Sequence, residues 1–405
     1  MELSGHRRPT RTAWLLLATR FTRSIWQGAL VVDFALYLRA LGWSAVAISA
    51  VLAGALGVGA LLTMVLGPLS DRFGRRRFLL AYDALQGAAA LTAFATASPA
   101  PLAIAAVIGG FGRGGNGSAG PFAPVEQAWL AQCVPVEERG HFYSLNSACG
   151  FIGMGAGAVI AALPGWFAGV NPPPDAYHPL FALTALLSLV AFLLVLAGED
   201  KESAPPPAPP IEEEAEERRR ENRLLGRLVL ANFLNGAGIG LVGPLIAYWF
   251  ALRFDRGPGA IGPMMAASFV LAAAASLGTS WLSRRIGIVR AVVTVRAAGL
   301  AMLVALPFAP SFGLAAVLYV ARGVFNQGTS GARSALNIGI VRPSRRGLSA
   351  SSANVALQIP RAVGPVAAGV CFDAGLFTAP FLIAALLQAG YLWVYDRSFR
   401  DVELR

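Results

Sequence analysis

The segment Gly67-Pro-Leu-Ser-Asp-Arg-Phe-Gly-Arg-Arg-Arg77 lies between two long apolar stretches of the chain. Gly67 and Gly74 permit a tight turn and a close approach of the flanking helices, because glycine has no side chain to clash. Asp71 can accept hydrogen bonds from backbone N–H groups at the N-terminus of a helix. The three consecutive arginines suit the anionic headgroups of a lipid bilayer. The segment therefore predicts a short loop that joins two membrane-spanning helices.

The whole chain has the composition of a membrane protein. Hydrophobic residues make up 56% of its 405 residues and charged residues only 14%, against about 25% charged in a soluble domain. Twelve helices of about 20 residues, the length that crosses a bilayer, need about 240 residues and leave room for loops, tails and a linker. The net charge of +11 lies mostly in clusters between apolar runs. This distribution indicates membrane orientation rather than binding of nucleic acid.

Neither a metal site nor a catalytic site is recognisable in the sequence. The three cysteines and three histidines are scattered at spacings that match neither a disulfide framework nor a metal site. No Ser/His/Asp set, paired-carboxylate site or phosphate-binding loop is discernible. We therefore expect no enzyme, no metal and no cofactor.

Apolar stretches bounded by glycine, proline or charged residues predict an all-α membrane protein with twelve transmembrane helices in two sets of six. The first set is predicted near 13–38, 44–69, 78–97, 101–133, 143–168 and 179–198, and the second near 226–251, 259–282, 289–308, 312–340, 348–373 and 377–396. The predicted organisation is a cytoplasmic tail (1–12), a six-helix bundle (13–198), a linker (199–225), a second six-helix bundle (226–396) and a cytoplasmic tail (397–405). The linker, with its proline tract and charge runs, is expected to be a solvated tether.

The basic residues orient this layout in the membrane. Nearly all arginines of the predicted loops fall on the face that holds both termini, and the opposite face has only Arg39, Arg253 and Arg256. The positive-inside rule then places both termini in the cytoplasm. We expect a multi-pass protein of the plasma membrane, most simply a bacterial inner membrane, and a monomer.

The two halves of the chain resemble each other. Leu69-Ser-Asp-Arg-Phe-Gly74 aligns with Leu282-Ser-Arg-Arg-Ile-Gly287, and Gly157 aligns with Gly364 at the corresponding place in the second set. Parallel repeats of six helices are one of the ways in which secondary transporters are built.

The segment Gly67–Arg77 resembles the signature loop of the major facilitator superfamily. The family pattern is a glycine, a small or apolar stretch, Asp-Arg, an aromatic residue, a glycine and two or three basic residues, and every element is present. The helix count, the central linker and the repeat extend the resemblance over the whole chain. It implies two parallel six-helix repeats that work as a transporter.

The resemblance implies that this loop is a conformational latch. In the family the aspartate, here Asp71, braces the first half against helix 11, which is near Leu348–Ser352 in this chain. The latch residues expected on this basis are Gly67, Asp71, Arg72, Gly74, Arg75, Arg76 and Glu126, and Glu126 is expected to pair with Arg75 or Arg76. Arg284 replaces the aspartate in the second half, so no acidic latch is expected there. The arginines also set the topology, and the two roles are compatible.

Helix 4 contains Arg113-Gly-Gly-Asn-Gly117, which is similar to the Arg-x-x-Gln-Gly motif of proton-coupled drug and metabolite facilitators, with Asn116 in the place of the glutamine. About 12 residues at about 1.5 Å each put Arg113 roughly 18 Å from the outer end of the helix, near the midplane. An unpaired cation there costs about 2.5–3.5 kcal/mol. Asp33 in helix 1 is its expected partner, either for transport chemistry or as an ion pair that only fixes packing.

A set of polar side chains is predicted to line a central cavity and to couple transport to protons. Its members are Asp33, Arg113, Asn116, Arg322, Gln358 and Arg361. Arginines outnumber acids within the predicted spans. This surplus indicates either an anionic substrate or arginines that extend to the interface.

The first functional hypothesis is a secondary active transporter that moves a small molecule by alternating access, with the proton as coupling ion. Burial and a nearby cation act in opposite directions on the protonation of Asp33, so substrate binding can change it. The motif around Arg113 favours efflux of a drug-like or metabolite substrate. Helix 5 has Gly153-Met-Gly-Ala-Gly157 followed by Ala158, where drug antiporters carry a proline, which favours uptake or exchange of an organic anion instead. A membrane sensor or scaffold with a transporter fold is the alternative of another class.

Overall fold

The computed structural model describes residues 9–113, 120, 123–135, 138–199, 215–342 and 345–400. Within these ranges the chain forms α-helices joined by turns and short 3₁₀ segments, and it forms no strand. In the same ranges, eight helical segments are long and apolar enough to cross a membrane. The prediction of an all-α membrane protein is confirmed, whereas the number of twelve spans stays a prediction.

The helices of the first half of the chain are α1 (Arg11–Ala40), α2 (Ala45–Phe73), α3 (Arg75–Ala95), α4 (Pro99–Gly109), α5 (Ala123–Cys133), α6 (Arg139–Ile160), α7 (Leu163–Ala168) and α8 (His178–Leu196). Those of the second half are α9 (Ala215–Val242), α10 (Ile246–Phe254), α11 (Pro258–Ile286), α12 (Ile288–Ala305), α13 (Phe312–Gly328), α14 (Ser330–Gly339), α15 (Arg346–Asp373) and α16 (Ala379–Phe399). Each of the twelve predicted segments overlaps with at least one of these helices.

Four predicted helices are interrupted, and the interruptions have local causes. The segment predicted over 101–133 stops at Gly109, because Gly110 and Gly112 adopt left-handed φ angles of +67° and +73°, which suit glycine and break a right-handed helix. The segment predicted over 226–251 is broken between α9 and α10, where Pro244 has no N–H to continue the helix. The segments predicted over 143–168 and 312–340 also consist of two helices each.

The first helix of the second half extends into the segment predicted to be the linker, and the boundary between linker and bundle stays a prediction. The helix α9 begins at Ala215 and continues to Val242, because the charged residues before position 226 are good helix formers with no breaker among them. Arg218, Arg219 and Arg220 are exposed, as a solvated segment requires, but Glu221 is buried. Residues 200–214, which include the proline tract, lie outside the described ranges.

Glu221 is buried because it binds two arginines of a distant loop. Its carboxylate accepts hydrogen bonds from the backbone N–H and Nε of Arg342, both at 3.0 Å, and from Nη1 of Arg345 at 2.8 Å. No sequence pattern predicts this contact, since the partners are more than 120 residues apart. This ion pair attaches the beginning of α9 to the loop before α15.

By its internal contacts the chain divides into two compact units. Unit 1 comprises Met1–Gly42, Val58–Ala204 and Gly257–Ala266, and unit 2 comprises Trp43–Gly57, Pro205–Arg256 and Ala267–Arg405. In unit 1, α1 packs against α6 and α8, and α3 packs against α8. In unit 2, α9 packs against α15 and α16, and α12 packs against α13 and α16.

Glycines allow the closest helix contacts in each unit. A Cβ added at Gly157 of α6 would lie 1.8 Å from the carbonyl oxygen of Ile25 in α1. A Cβ added at Gly364 of α15 would lie 2.3 Å from the carbonyl carbon of Gly240 in α9. Small residues permit such approach of membrane helices, so both glycines serve packing, at matching positions of the two halves.

The repeat is also visible in the backbone before the third helix of each half. Gly74 precedes α3 with φ of +90°, and Gly287 precedes α12 with φ of +85°. Both glycines are at the end of the aligned loop segments. The residue nine positions later is Asp83 in α3 and Arg296 in α12, so these two charged residues occupy equivalent positions in the two halves.

Candidate functional site

Asp33 lies deep in α1 with only 1% of its surface exposed. Neither of its carboxyl oxygens has a hydrogen-bond partner among the described residues. It is close enough to Tyr177 to interact with it electrostatically. One turn further along α1, Tyr37 packs against Phe181, and their ring centroids are 5.0 Å apart. Asp33 is therefore a buried carboxyl in a largely apolar and aromatic environment.

Arg113 is placed by the glycine turn that ends α4 rather than by a continuous helix. Its side chain folds back over Gly110 of this turn and also approaches α2, where a Cβ at Gly59 would lie 2.4 Å from its Nη1. Its Nη2 donates a long hydrogen bond of 3.5 Å to the carbonyl oxygen of Ile108. In the part of the chain that the structure describes, no ion pair joins Arg113 to Asp33, so the expected pairing was wrong. Asn116 lies outside the described residues.

A cluster of three fully buried charges lies in unit 1 on α1, α3 and α5. Arg23 donates from Nε and Nη2 to the two oxygens of Asp83, at 2.8 and 2.7 Å, and from Nη1 to Oε2 of Glu126 at 2.9 Å. The side chains of all three residues are at most 2% exposed. Arg20, one helical turn earlier, lies near enough to Glu126 to interact with its charge. We call Arg23, Asp83 and Glu126 the acidic cluster of unit 1.

This cluster corrects the role expected for Glu126. Glu126 binds Arg23 within the bundle rather than Arg75 or Arg76 at the loop. Arg75 instead donates from Nη1 to the carbonyl oxygen of Ala128 at 3.1 Å, and Arg76 donates to the carbonyl oxygen of Leu196. Arg76 thus binds a carbonyl group in the last turn of α8, where cations are favoured by the helix dipole, whereas Arg75 binds one in the middle of α5.

The remaining latch residues are only partly described. The helix α2 continues through Gly67 and ends at Phe73, and Gly74 supplies the turn to α3. The predicted loop is therefore shorter than expected, because most of its residues are helical. The side chains of Asp71 and Arg72 lie outside the described part of the structure, and their latch role remains a proposal.

A second cluster of charges lies in unit 2 and contains only cations. Arg296 of α12 is 3% exposed, and its Nη2 donates to Oδ1 of Asn235 at 2.8 Å and to Oε1 of Gln388 at 2.7 Å. Its guanidinium lies 4.5 Å from the ring centroid of Tyr391. Arg322 of α13 and Arg333 of α14 are close enough to interact with the charge of Arg296. We call these three arginines the basic cluster of unit 2.

The structure brings together only some of the residues predicted to line the cavity. Arg322 belongs to the basic cluster. Gln358 is partly buried and Arg361 is buried on α15, and no hydrogen bond or ion pair between described residues joins either of them to Arg322. Arg296 is not among the residues that the sequence predicted to line the cavity. Its alignment with Asp83 in the repeat is the signal that could have singled it out.

Comparisons with known proteins agree with this fold. The family model of the Major Facilitator Superfamily matches residues 15–226 and 228–402. A solved structure of an autoinhibited peptide transporter of the POT family is similar with a TM-score of 0.76 and 12% sequence identity, covering 97% of this chain and 98% of that one. The nucleoside transporter NupG is similar with a TM-score of 0.74 and 14% identity, covering 96% of this chain and 100% of that one.

A third similar structure is that of a bacterial homologue of the human lysosomal transporter Spinster, in an inward-facing and occupied conformation. Its TM-score is 0.72 at 15% identity, and the match covers 98% of this chain and 99% of that one. At these identities the three likenesses show the shared fold alone. The family model, which spans almost the entire sequence, shows more: the chain belongs to the major facilitator superfamily and is a multi-pass membrane transporter.

Proposed function

We propose that this transporter is a secondary active one, which works by alternating access and exports a drug-like or metabolite substrate in exchange for protons. Family membership supports the transporter function, and one observation supports proton coupling. That observation is the buried carboxyl of Asp33, whose two oxygens have no hydrogen-bond partner among the described residues.

The surroundings of Asp33 make its charge sensitive to what enters the bundle. An ionised carboxylate in a low-dielectric environment is costly unless it is paired. A proton on Asp33 removes that cost, and an approaching donor or cation favours the ionised form again. Asp33 can therefore take up and release a proton as its surroundings change during transport.

The acidic cluster of unit 1 provides a contrast that singles out Asp33. Both oxygens of Asp83 and one oxygen of Glu126 accept hydrogen bonds from Arg23, and such charge-assisted bonds hold a carboxylate in its ionised form. A change of protonation there would disrupt the packing of three helices. We therefore assign coupling to Asp33 and a structural role to the acidic cluster.

Asp33→Asn is expected to abolish transport driven by a pH gradient in proteoliposomes, while exchange of labelled for unlabelled substrate continues. A thermal-stability screen against organic anions, lipophilic cations and neutral nucleosides first identifies a substrate, since a ligand that binds the folded state raises the midpoint. Asp175→Asn is the matched control, because Asp175 belongs to the same unit and its side chain is 92% exposed. If substrate accumulation depends on the pH gradient equally in both variants, Asp33 does not have this role.

The direction of transport can be measured in membrane vesicles with an imposed pH gradient. Everted membrane vesicles with an acidic lumen accumulate an exported substrate, whereas a substrate taken up with protons leaves them. The orientation with both termini in the cytoplasm of a bacterial inner membrane, a monomeric state and the latch at Asp71 belong to the same proposal. The basic residues on one face of the predicted layout support that orientation.

A further inference from the structure

No carboxylate of the described residues is paired with the positive charge of the basic cluster of unit 2. Among the residues that the structure describes, no aspartate or glutamate forms an ion pair with Arg296, Arg322 or Arg333. The acidic cluster of unit 1, by contrast, surrounds Arg23 with two carboxylates. An arginine without a paired carboxylate is energetically costly at the depth of a membrane span. Intramembrane charges of this kind indicate a functional site.

Extension of the side chains to the membrane surface does not explain the cluster. Long cationic side chains near helix ends reach the interface in this way. Arg296, however, lies eight residues from the beginning and nine from the end of α12, and Asn235 and Gln388 hold its guanidinium inside the bundle. Its orientation is thus fixed in advance, as binding sites require.

The polar groups around the cluster that lack partners are almost all donors. The guanidinium Nε atoms of Arg322 and Arg333 and the Nδ2 atom of Asn235 are buried and have no hydrogen-bond partner in the described structure, and these groups can only donate. The hydroxyl groups of Tyr391 and Tyr395 also lack partners. The nearby acceptors, the side-chain oxygens of Asn235 and Gln388, are already bound to Arg296. Among the described residues, the site therefore has unpartnered donors and no ion-paired carboxylate.

The positions of the arginines suit a ligand between the helices. Arg322 and Asn326 are four residues apart on one face of α13, and Oδ1 of Asn326 lies against α12, 2.9 Å from a Cβ built at Gly299. Arg333 follows the interruption at Thr329, and it interacts electrostatically with Tyr395 of α16. Arg322 and Arg333 are partly exposed, so each can turn toward an incoming group while Arg296 stays in place.

From these contacts we propose that the basic cluster of unit 2 binds an anionic group of the transported molecule, a carboxylate or a phosphate. This inference rests on the proposed transport function. Guanidinium groups bind both anions with paired, charge-assisted hydrogen bonds, and the tyrosine hydroxyls and Asn235 supply further donors. The substrate is then an organic anion rather than a lipophilic cation.

The test measures binding of named anions to the purified full-length protein by thermal stability at equal ionic strength. The probes are inorganic phosphate, succinate and glucose 6-phosphate, with glucose as the neutral and tetraphenylphosphonium as the cationic comparison. At least one anion is expected to raise the midpoint saturably, as binding to the folded state does, and the comparisons are not. Arg322→Gln and Arg333→Gln should each lower the affinity for that anion by about tenfold or more.

Arg290→Gln is the matched control, since Arg290 lies on the same helix as Arg296 and is exposed. The affinity of this variant for the anion should equal that of the unmodified protein. Tyr395→Phe removes one unpartnered hydroxyl without changing charge and serves where an arginine variant fails to fold; it should weaken binding too. The inference is overturned when none of the three anions binds, or when binding is the same in the arginine and tyrosine variants as in the control.

The outcomes separate this inference from the proposed function. Anion binding that depends on the cluster, in a protein without pH-driven transport, upholds the inference and contradicts proton coupling. Transport of a neutral molecule driven by the pH gradient, without anion binding, upholds proton coupling and overturns the inference.

Discussion

Arg23→Gln is expected to lower the free energy of unfolding by about 3–5 kcal/mol, the loss that follows removal of one partner from a buried ion pair. The variant leaves Asp83 buried without the guanidinium that binds both of its oxygens. Arg20 remains near Glu126, so Asp83 is the carboxylate most affected. Unfolding of the purified protein in detergent, followed by heat or denaturant, measures the effect.

Two further variants separate charge from geometry. Arg11→Gln removes an exposed arginine from the same helix and should change stability by less than about 0.5 kcal/mol. Arg23→Lys keeps the charge but loses the paired hydrogen bonds to Asp83, so its stability should lie between those of the other two. If Arg23→Gln unfolds like Arg11→Gln, the acidic cluster does not hold α1, α3 and α5 together.

Gly157→Ala is expected to destabilise unit 1 by about 1–3 kcal/mol or more, the usual range for an overpacked core. The added Cβ would lie 1.8 Å from the carbonyl oxygen of Ile25 and 2.8 Å from the amide nitrogen of Ala29. Both are backbone atoms, so no side chain can turn away and α1 and α6 must separate. A lower unfolding midpoint in detergent and reduced recovery of monodisperse protein measure this effect.

The control lies in the same helix. A Cβ at Gly140 of α6 meets nothing within 4 Å, and alanine is favoured over glycine within a helix by about 1 kcal/mol. Gly140→Ala should therefore leave stability unchanged or raise it slightly. Equal losses at both positions would contradict this explanation, because helix propensity favours alanine at both and only Gly157 contacts the backbone of α1.

The positions of the helices could be predicted because hydrophobicity is a property of contiguous sequence. Every predicted span overlaps with a helix, and the family was identified from the loop at Gly67–Arg77. The interruption after Gly109 could have been predicted from Gly110 and Gly112, but a long apolar stretch was given more weight than local turn chemistry. The start of α9 at Ala215 has a different cause, because the charged residues before position 226 were assigned to the linker rather than to the first helix of the second half.

The ion pairs could not be predicted, because they depend on which helices become neighbours. Arg23 meets Asp83 and Glu126 across 60 and 103 residues of chain, and no periodic pattern specifies such a partner. Their positions along the helices suggested Arg113 for Asp33 and Arg75 or Arg76 for Glu126. In the folded bundle Glu126 binds Arg23 instead, and the oxygens of Asp33 have no hydrogen-bond partner among the described residues.

Gly74 and Gly287 give the two halves the same positive-φ turn before α3 and α12. Nine residues after each turn stand Asp83 and Arg296, and each of them bonds to the first helix of its own half. The same backbone arrangement thus holds an acid in one half and a base in the other. A repeated fold therefore does not impose the same charge on its two halves.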